Sequence, residues 1–353
     1  MPAGVNRIVR DVVAPAAPAV DRDGAFPRAA VAALGGLLGT SMSRGVGGHG
    51  RGLAEVADVV EHVAAACGST AVVLRSHFAA ATAVDRLGRR ALRTTVAAGG
   101  HLGTIAVFSP GAHFALPSGT AVRRGDVVDL RDRKSGVVAA GEADSHVWSS
   151  TPLGALGTTT LWSVPGNAPG LFVPVDRPGL GLRGVAANTV WADPAHVPVD
   201  CLLGEDGRSF DTVVHHVLPW WVVLGASVAL GVMAGATEAV APHVGPSDSL
   251  RLRLRADAVR VLREDAVAAV DWEPDRARRK LCHLAVHTAE ALVVVTDQAL
   301  ALAADLGPST RATVERRFRE ARALNTMSPT ADQFTDFTAR GEPGASAVAR
   351  LGA

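Results

Sequence analysis

The spacing of apolar residues along the chain predicts three regions of different secondary structure. Over residues 1–99, apolar residues recur three and four positions apart in segments such as AAVAALGGLL and LAEVADVVEHVAAA, which is the period of an α-helix. Over 100–210, short alternating segments such as TAVRRGDVVDLR and HVWSS are separated by turn residues, as in strands. Over 211–353 the helical period returns. The pattern therefore predicts an α+β fold with an N-terminal helical domain, a middle β domain and a C-terminal helical bundle.

One apolar segment raises the question of a membrane span. Val217–Thr237 has no charged residue over 21 positions and contains the G-x-x-x-G spacing at Gly231 and Gly235, and this length could cross a bilayer. The segment is rich in alanine and glycine rather than leucine, and Pro219 suits the first turn of a helix. We therefore expect a helix that is buried on all sides of a soluble bundle, with no membrane contact.

Charge and cysteine content give no reason to expect a nucleic-acid partner or a disulfide framework. The 353 residues include 35 basic and 34 acidic residues, for a formal net charge of +1, so no basic binding surface is predicted. Cys67, Cys201 and Cys282 are far apart and form no C-x-x-C pair, which favours reduced thiols. The first residues show no apolar signal core, so we expect a cytoplasmic protein.

Two short motifs match binding-site spacings but lack the surroundings that such sites need. Gly45–Gly50 reads GVGGHG, which matches the dinucleotide spacing, yet helical sequence precedes it where a strand is required. His283 and His287 lie about one helical turn apart with no third ligand at useful spacing, so no metal site is predicted.

Five segments along the chain carry a family resemblance. They are CGSTAVVL at Cys67–Leu74, DRKS and AGEADS within Asp132–Ser145, PGLGLRG from Pro178, Val197-Pro198 before LLGEDG, and VERRFREAR at Val314–Arg322. In this order the chain resembles the acyl-CoA dehydrogenase superfamily, in the branch that is common in actinobacteria. The resemblance implies an N-terminal helical domain, a middle β-barrel or sandwich and a C-terminal four-helix bundle. It also implies a homodimer or homotetramer, an acyl-thioester or other small-molecule substrate, and FAD in a cleft shared with a neighbouring subunit.

Several positions of the β domain depart from the family's pattern. Where relatives carry Thr or Ser followed by an acidic residue along the flavin, this chain has Ser109 followed by Pro110. The aromatic residue expected after the Lys-Ser pair is Gly136. The threonine that donates a hydrogen bond to the reactive flavin nitrogen is Val138. Valine has no hydroxyl, so that hydrogen bond would be lost.

Further departures lie in the C-terminal region. The Gly-Gly pair that lets the backbone approach the FAD pyrophosphate aligns with Ala304 and Asp305, where a Cβ and a carboxylate oppose binding. The segment SDSLRLRLR lacks the Gln and Phe of the signature that meets FAD from the neighbouring subunit. Ser328 stands where many dehydrogenases place the glutamate that abstracts the α-proton. A serine with no adjacent base cannot remove that proton at a useful rate.

These departures lead us to expect a family member that has lost its flavin site. We expect no cofactor, and a non-redox cyclisation or isomerisation of a polyketide-like substrate in the vacated cleft, which positioning alone can accelerate. One alternative is an FAD-dependent acyl-CoA or acyl-carrier-protein dehydrogenase, or a flavin monooxygenase, with atypical contacts. A second alternative is a non-catalytic subunit that partners an active homologue.

The candidate site residues follow from sequence and family position together. The catalytic candidates are Ser328, Thr330, His77 and Asp332; the substrate-binding candidates are Trp220, Trp221, Trp148, His113, Gly136 and Val138; and Ser109, Ser135 and Arg316 would bind FAD if it is retained. Structural roles compete with these assignments. Tryptophan is common in cores, a histidine on an alanine-rich helix is often a packed residue, and polar residues near 330 can end or cap helices.

Overall fold

The computed structural model describes residues 4–107, 119–174, 179–272, 274–327 and 330–339. The N-terminal helices are α1 (Val5–Ile8), α2 (Ala14–Asp23), α3 (Arg28–Ala33), α4 (Gly35–Leu38), α5 (Leu53–Ala66), α6 (Gly68–Leu87) and α7 (Arg90–Ala97). The strands are β1 (Gly103–Ala106), β2 (Thr120–Arg124), β3 (Val127–Val137), β4 (Ser145–Ser150), β5 (Thr160–Pro165), β6 (Leu171–Phe172), β7 (Asn188–Pro198) and β8 (Leu202–Leu203). The C-terminal helices are α8 (Phe210–Thr212), α9 (Leu218–Val240), α10 (Pro246–Trp272), α11 (Pro274–Leu302), α12 (Pro308–Asn325) and α13 (Ala331–Ala339). The predicted order of helices, strands and helices is confirmed.

Small side chains bury α6 and let other elements approach it closely. Every residue from Gly68 to Val84 is buried, because the alanines along this helix leave room for neighbours on all sides. At Gly103 of β1, a Cβ would lie 3.4 Å from the Cβ of Ala80. The helix α6 thus joins the N-terminal domain to the β domain.

The described residues of the middle region form a sandwich of two four-stranded sheets. One has the strand order β1-β4-β5-β8, with β1 and β4 parallel, and the other has the order β2-β3-β7-β6. Trp148 of β4 lies opposite Trp162 of β5, and both side chains are fully buried with Leu130 of β3 in one core cluster. The register of β3 against β7 shifts between Lys134 and Val137, which changes the direction of the side chains that follow.

The apolar helix α9 is the buried centre of a bundle that it forms with α10, α11 and α12. A Cβ at Gly231 would lie 2.3 Å from the Glu61 carbonyl oxygen, and one at Gly235 would lie 2.8 Å from that of Ala65. The G-x-x-x-G spacing therefore lets α9 approach α5. The helical stretch Phe210–His243 is long and apolar enough to span a membrane, but 83% of its apolar central segment is buried inside the protein. The helical stretch Arg276–Leu302 is also long and apolar enough to span a membrane, and 33% of its apolar segment is buried.

The arginine-rich helix α12 holds the domains together. Buried Arg317 donates through Nη1 to the Ala64 carbonyl at 3.1 Å and through Nη2 to that of Ala66 at 3.1 Å, and so satisfies the free carbonyls at the end of α5. Nη1 also pairs with Glu320 at 2.8 Å. Arg319 binds both carboxylate oxygens of Asp21, at 2.8 and 2.5 Å.

Candidate functional site

A cleft of about 830 Å³ lies between the β-sandwich and the helical bundle. Its β wall consists of the ends of β1 and β3 and the segment 179–187 that precedes β7, and its other wall consists of one residue of α9 and the C-terminal end of α12. The lining residues include Ile105, Ala106, Ser135, Gly136, Leu182, Arg183, Ala186, Asn188, Trp221, Arg322, Thr326 and Met327.

Strained backbone shapes the β wall. Leu182 and Ala186 line the cleft with φ of +52° and +47°, and Ala139 behind them has φ of +54°. Left-handed conformations at non-glycine residues cost roughly 1–2 kcal/mol each. Two backbone hydrogen bonds hold them in place, from the Ala139 N–H to the Val185 carbonyl at 2.9 Å and from the Ala140 N–H to the Ala186 carbonyl at 3.0 Å. Strain of this kind concentrates at ligand sites.

The same segment is held against α12. A Cβ at Gly181 would lie 1.9 Å from the Arg319 carbonyl oxygen, so only glycine permits this contact. The side chain of Arg319 extends toward Asp21 and toward the Leu180 carbonyl at 3.4 Å. The wall is therefore positioned by the N-terminal domain and the bundle together.

The polar groups of the cleft are cationic rather than acidic. Of the described residues that line it, none is Asp, Glu or His, whereas Arg183 and Arg322 both line it. Arg322 is occupied by Asp297, whose two carboxylate oxygens accept from its Nη2 at 2.7 and 2.8 Å. The buried Nε of Arg183 has no hydrogen-bond partner in the described part of the chain. A buried donor of this kind can be satisfied by a ligand oxygen.

The cleft fits the flavin that the sequence resemblance implies. Its volume of about 830 Å³ lies within the roughly 300–1,000 Å³ of cofactor sites. At Gly136, which has φ of +62°, an added Cβ would meet nothing within 4 Å, so the wall there is open backbone. Ser135, Gly136 and Arg183 are the residues that would hold the flavin in this chain.

A smaller cavity of about 70 Å³ lies among α6, α9, α11, α12 and α13. Met327 lines both cavities. Arg75 of α6 lines the smaller cavity and stacks on Trp221, which lines the cleft, with the guanidinium carbon 3.8 Å from the ring centroid. The cleft and the smaller cavity are therefore neighbours, separated by the Arg75–Trp221 pair and Met327.

The structure brings some of the sequence-predicted residues together. Ser135, Gly136 and Trp221 line the cleft, and Thr330 lines the smaller cavity. Ser109, His113 and Ser328 lie outside the described residues.

Other predicted residues lie away from both cavities. Trp148 is buried in the sandwich core, and partly buried Trp220 packs against the main core. Val138 is fully buried, and its carbonyl accepts from the Thr104 hydroxyl at 2.6 Å. Arg316 is buried in α12, where desolvation lowers the pKa of its guanidinium.

His77 occupies a closed structural position on α6. Its Nδ1 accepts from the Gly103 N–H at 3.1 Å, so its Nε2 carries the proton and donates to the Leu38 carbonyl at 2.8 Å. Burial lowers the pKa of the imidazole to about 4. With both nitrogens engaged inside the protein, this geometry favours a structural role over proton transfer.

Thr330 and Asp332 lie at the start of α13. The Thr330 N–H donates to Gln333 Oε1 at 2.8 Å, and the Gln333 N–H donates to the Thr330 hydroxyl at 3.3 Å. This reciprocal pair is a capping box. Asp332 is exposed in the first helical turn, where a carboxylate is favoured by the helix dipole.

Sequence reasoning missed several polar residues that line the cavities, among them Arg75, Arg183 and Thr288. A signal for Arg75 was present, because it is the one charged residue in α6 between Gly68 and Val84. Charged residues of a helix that is apolar on all faces need a partner or a function.

The comparisons with known proteins agree with this geometry. The profile of the acyl-CoA dehydrogenase N-terminal domain matches residues 2–98. The human mitochondrial short-chain specific acyl-CoA dehydrogenase is 25% identical over 345 residues, covering 90% of this chain and 83% of the relative. The cyclohex-1-ene-1-carbonyl-CoA dehydrogenase of Syntrophus aciditrophicus (strain SB) is 30% identical over 251 residues, covering 67% of this chain and 60% of the relative. The butyryl-CoA dehydrogenase structure from Megasphaera elsdenii superposes with a TM-score of 0.85 at 17% identity and covers 95% of each chain.

These findings correct the functional expectation from sequence. The relatives are named acyl-CoA dehydrogenases, which are FAD-dependent enzymes, so the prediction of a non-redox cyclisation or isomerisation without a cofactor is wrong. Two of the substitutions that led to it do not alter the cleft. Val138 is buried behind the wall, and Ala304 with Asp305 lies exposed in the turn after α11. The similarity to enzymes also favours an enzyme over a non-catalytic partner subunit.

Proposed function

Because the chain belongs to the acyl-CoA dehydrogenase superfamily, we propose that it is an FAD-dependent dehydrogenase of acyl thioesters. The observation that carries this proposal is the cleft of about 830 Å³ between the sandwich and the bundle, with open backbone at Gly136 and an unsatisfied donor at Arg183. When bound, FAD would accept the hydride from the β-carbon as a saturated acyl group is oxidised to its α,β-unsaturated form. The α-proton would pass to a base outside the described residues that line the cleft, none of which is Asp, Glu or His.

The described residues position the acyl group between the two cavities. Trp221 and Met327 present apolar surface next to the cleft, which excludes water from the reacting carbons. Thr330 keeps its hydroxyl proton free, because that oxygen accepts from the Gln333 N–H, and we propose that it hydrogen-bonds the substrate. The distal part of the acyl chain would enter the smaller cavity beyond Met327. The limited volume there favours short acyl groups.

We further propose that the protein acts as a homodimer or homotetramer in the cytoplasm, without a membrane or nucleic-acid partner. The balanced net charge of +1 supports the absence of a nucleic-acid partner, and the buried position of α9 supports a soluble protein.

The proposal is tested on the purified full chain after incubation with excess FAD and desalting. We expect a visible flavin absorbance band that stays with the protein and is bleached under anaerobic conditions by butyryl-CoA. A folded protein that retains no flavin, or a retained flavin that no acyl thioester bleaches, would refute the dehydrogenase.

Two arginine variants link the flavin to the cleft. Arg183→Met removes the guanidinium of a residue that lines the cleft, and we expect FAD retention to fall about tenfold, since a charge-assisted hydrogen bond contributes about 1.5 kcal/mol or more. Arg10→Met is the matched control, because Arg10 lies exposed beside Asp11 in the N-terminal helical region and lines neither cavity. Equal FAD retention by both variants would place the flavin elsewhere.

A further inference from the structure

The smaller cavity contains a buried cation that no part of the described protein neutralises. Arg75 is 6% exposed, and its Nε donates to the Trp221 carbonyl at 2.9 Å while the guanidinium stacks on the Trp221 ring. Across the described ranges, its terminal nitrogens have no hydrogen-bond partner and no carboxylate pairs with it. Burial lowers the pKa of Arg75 to about 9, so the side chain is still a cation at neutral pH.

The position of Arg75 is built into the fold. A Cβ at Gly225 of α9 would lie 2.9 Å from Nη2 of Arg75 and 3.0 Å from its guanidinium carbon. Glycine at this point of α9 therefore makes the space that the guanidinium occupies. An unpaired cation held in a buried position costs stability unless a partner arrives.

A second unsatisfied polar group lines the same cavity. Thr288 of α11 is 7% exposed, and its hydroxyl has no hydrogen-bond partner among the described residues. A threonine in a helix usually bonds a carbonyl one turn earlier, as Thr296 does with Leu292 at 2.8 Å. Arg75 and Thr288 both line this one small cavity, and a guanidinium with an unsatisfied hydroxyl is a donor set that a carboxylate prefers.

We propose that Arg75 and Thr288 bind a carboxylate at the distal end of the acyl group, so that the substrate is a short acyl thioester with a terminal carboxylate. The part of this inference that rests on the proposed function is that the bound molecule is an acyl thioester, which enters through the cleft. The cavity of about 70 Å³ has room for a group of only a few heavy atoms, which suits a carboxylate better than a long alkyl tail.

The test compares glutaryl-CoA with pentanoyl-CoA, which have acyl chains of equal carbon number. Binding to the FAD-loaded protein is measured by calorimetry with the thioether analogue of each, in which sulfur replaces the β-carbon and blocks dehydrogenation. We expect the carboxylated analogue to bind at least about tenfold tighter to the wild type, as a charge-assisted hydrogen-bonded pair predicts. Equal binding, or tighter binding of the pentanoyl analogue, would overturn the proposal.

Variants assign the preference to the two side chains. Arg75→Met should abolish the preference for the carboxylated analogue and leave pentanoyl binding unchanged or improved. Thr288→Val, which is nearly isosteric, should reduce the preference several-fold. Thr296→Val is the matched control on α11, because its hydroxyl is already satisfied. If Arg75→Met does not fold, Thr288→Val and the wild-type comparison still decide the matter. Loss of both affinities to the same extent would assign Arg75 a structural role only.

The two proposals fail in different ways. Tight binding of the carboxylated analogue without bleaching of the flavin by glutaryl-CoA would keep the carboxylate site and refute the dehydrogenase. Bleaching by pentanoyl-CoA as efficient as that by glutaryl-CoA would keep the dehydrogenase and refute the carboxylate site.

Discussion

At the residue scale, the burial of His77 makes the stability of the folded protein depend on pH in the acid range. The unfolded chain binds a proton at this residue below about pH 6.5, whereas the folded protein keeps it neutral until about pH 4. The unfolded state binds more protons between these values, so the free energy of unfolding falls as the pH drops from about 6.5 to about 4. His77 contributes at most roughly 3 kcal/mol to this decrease in the free energy of unfolding.

We therefore expect His77→Gln to flatten the acid limb of the stability profile. Glutamine does not titrate, and its amide can donate to the Leu38 carbonyl and accept from the Gly103 N–H as the imidazole does. Urea unfolding at pH 7 and pH 5 measures the difference. His283→Gln, at an exposed position, should keep the wild-type slope. The same pH dependence in wild type and His77→Gln would contradict the assignment.

Arg317 shows how one buried cation can be structural where another is available to a ligand. Unlike Arg75, it has a carboxylate partner, Glu320, and carbonyl acceptors at the end of α5. We expect Arg317→Met to lower the free energy of unfolding by about 3–5 kcal/mol, because it leaves the Glu320 carboxylate buried and unpaired.

The unfolding experiment on Arg317 has two internal controls. The double variant Arg317→Met/Glu320→Gln should recover part of the loss, since the unpaired charge is removed. Arg311→Met breaks only an exposed pair with Glu315, so its cost should stay below about 1 kcal/mol. A loss in Arg317→Met no larger than that in Arg311→Met would refute the role of Arg317 as a cap of α5.

At the element scale, the segment 179–187 depends on one close backbone contact. A Cβ at Gly181 would lie 1.9 Å from the Arg319 carbonyl oxygen, whereas one at Gly179 would meet nothing within 4 Å. We expect Gly181→Ala to displace the segment from α12, reduce FAD retention about tenfold or more and lower the melting temperature. Gly179→Ala should change neither quantity. Similar flavin retention in the two variants would show that the segment does not shape the cofactor site.

The elements themselves could be predicted from sequence better than the walls they form. The helical period along α9 and the absence of charge in it were sufficient to predict a helix buried on all sides, because both signals are local. The positive φ angles of Leu182 and Ala186 had no sequence signal, since neither is glycine. Val138 was expected to face the flavin, but it is fully buried and directly follows a register shift of β3 against β7 between Lys134 and Val137. Such a shift depends on pairing with β7, which is distant in sequence.

At the scale of the whole molecule, the carboxylate site illustrates what sequence alone cannot give. Arg75 meets Trp221 and Gly225 across 146 and 150 positions of chain, and the sequence gives no measure of that approach. The family resemblance could be recognised from sequence because each segment that carries it is a continuous run of residues. The loss of flavin chemistry was inferred wrongly. Each substitution was counted as a lost flavin contact before it was known whether the substituted side chain faces the cleft.

The surface of α10 carries an apolar stripe that suggests how two copies of the chain associate. Leu250, Leu254, Val261 and Trp272 are 55%, 57%, 63% and 83% exposed, and their spacing places them within about 40° of one another around the helix over about 33 Å. A stripe of this kind can pair with itself about a two-fold axis. We expect the wild type to be a homodimer or homotetramer by light scattering, and Val261→Glu to shift it to a smaller species. Leu156→Glu, at an exposed leucine of the sandwich, should keep the wild-type mass. A monomeric wild type, or an unchanged mass for Val261→Glu, would exclude this surface as the interface.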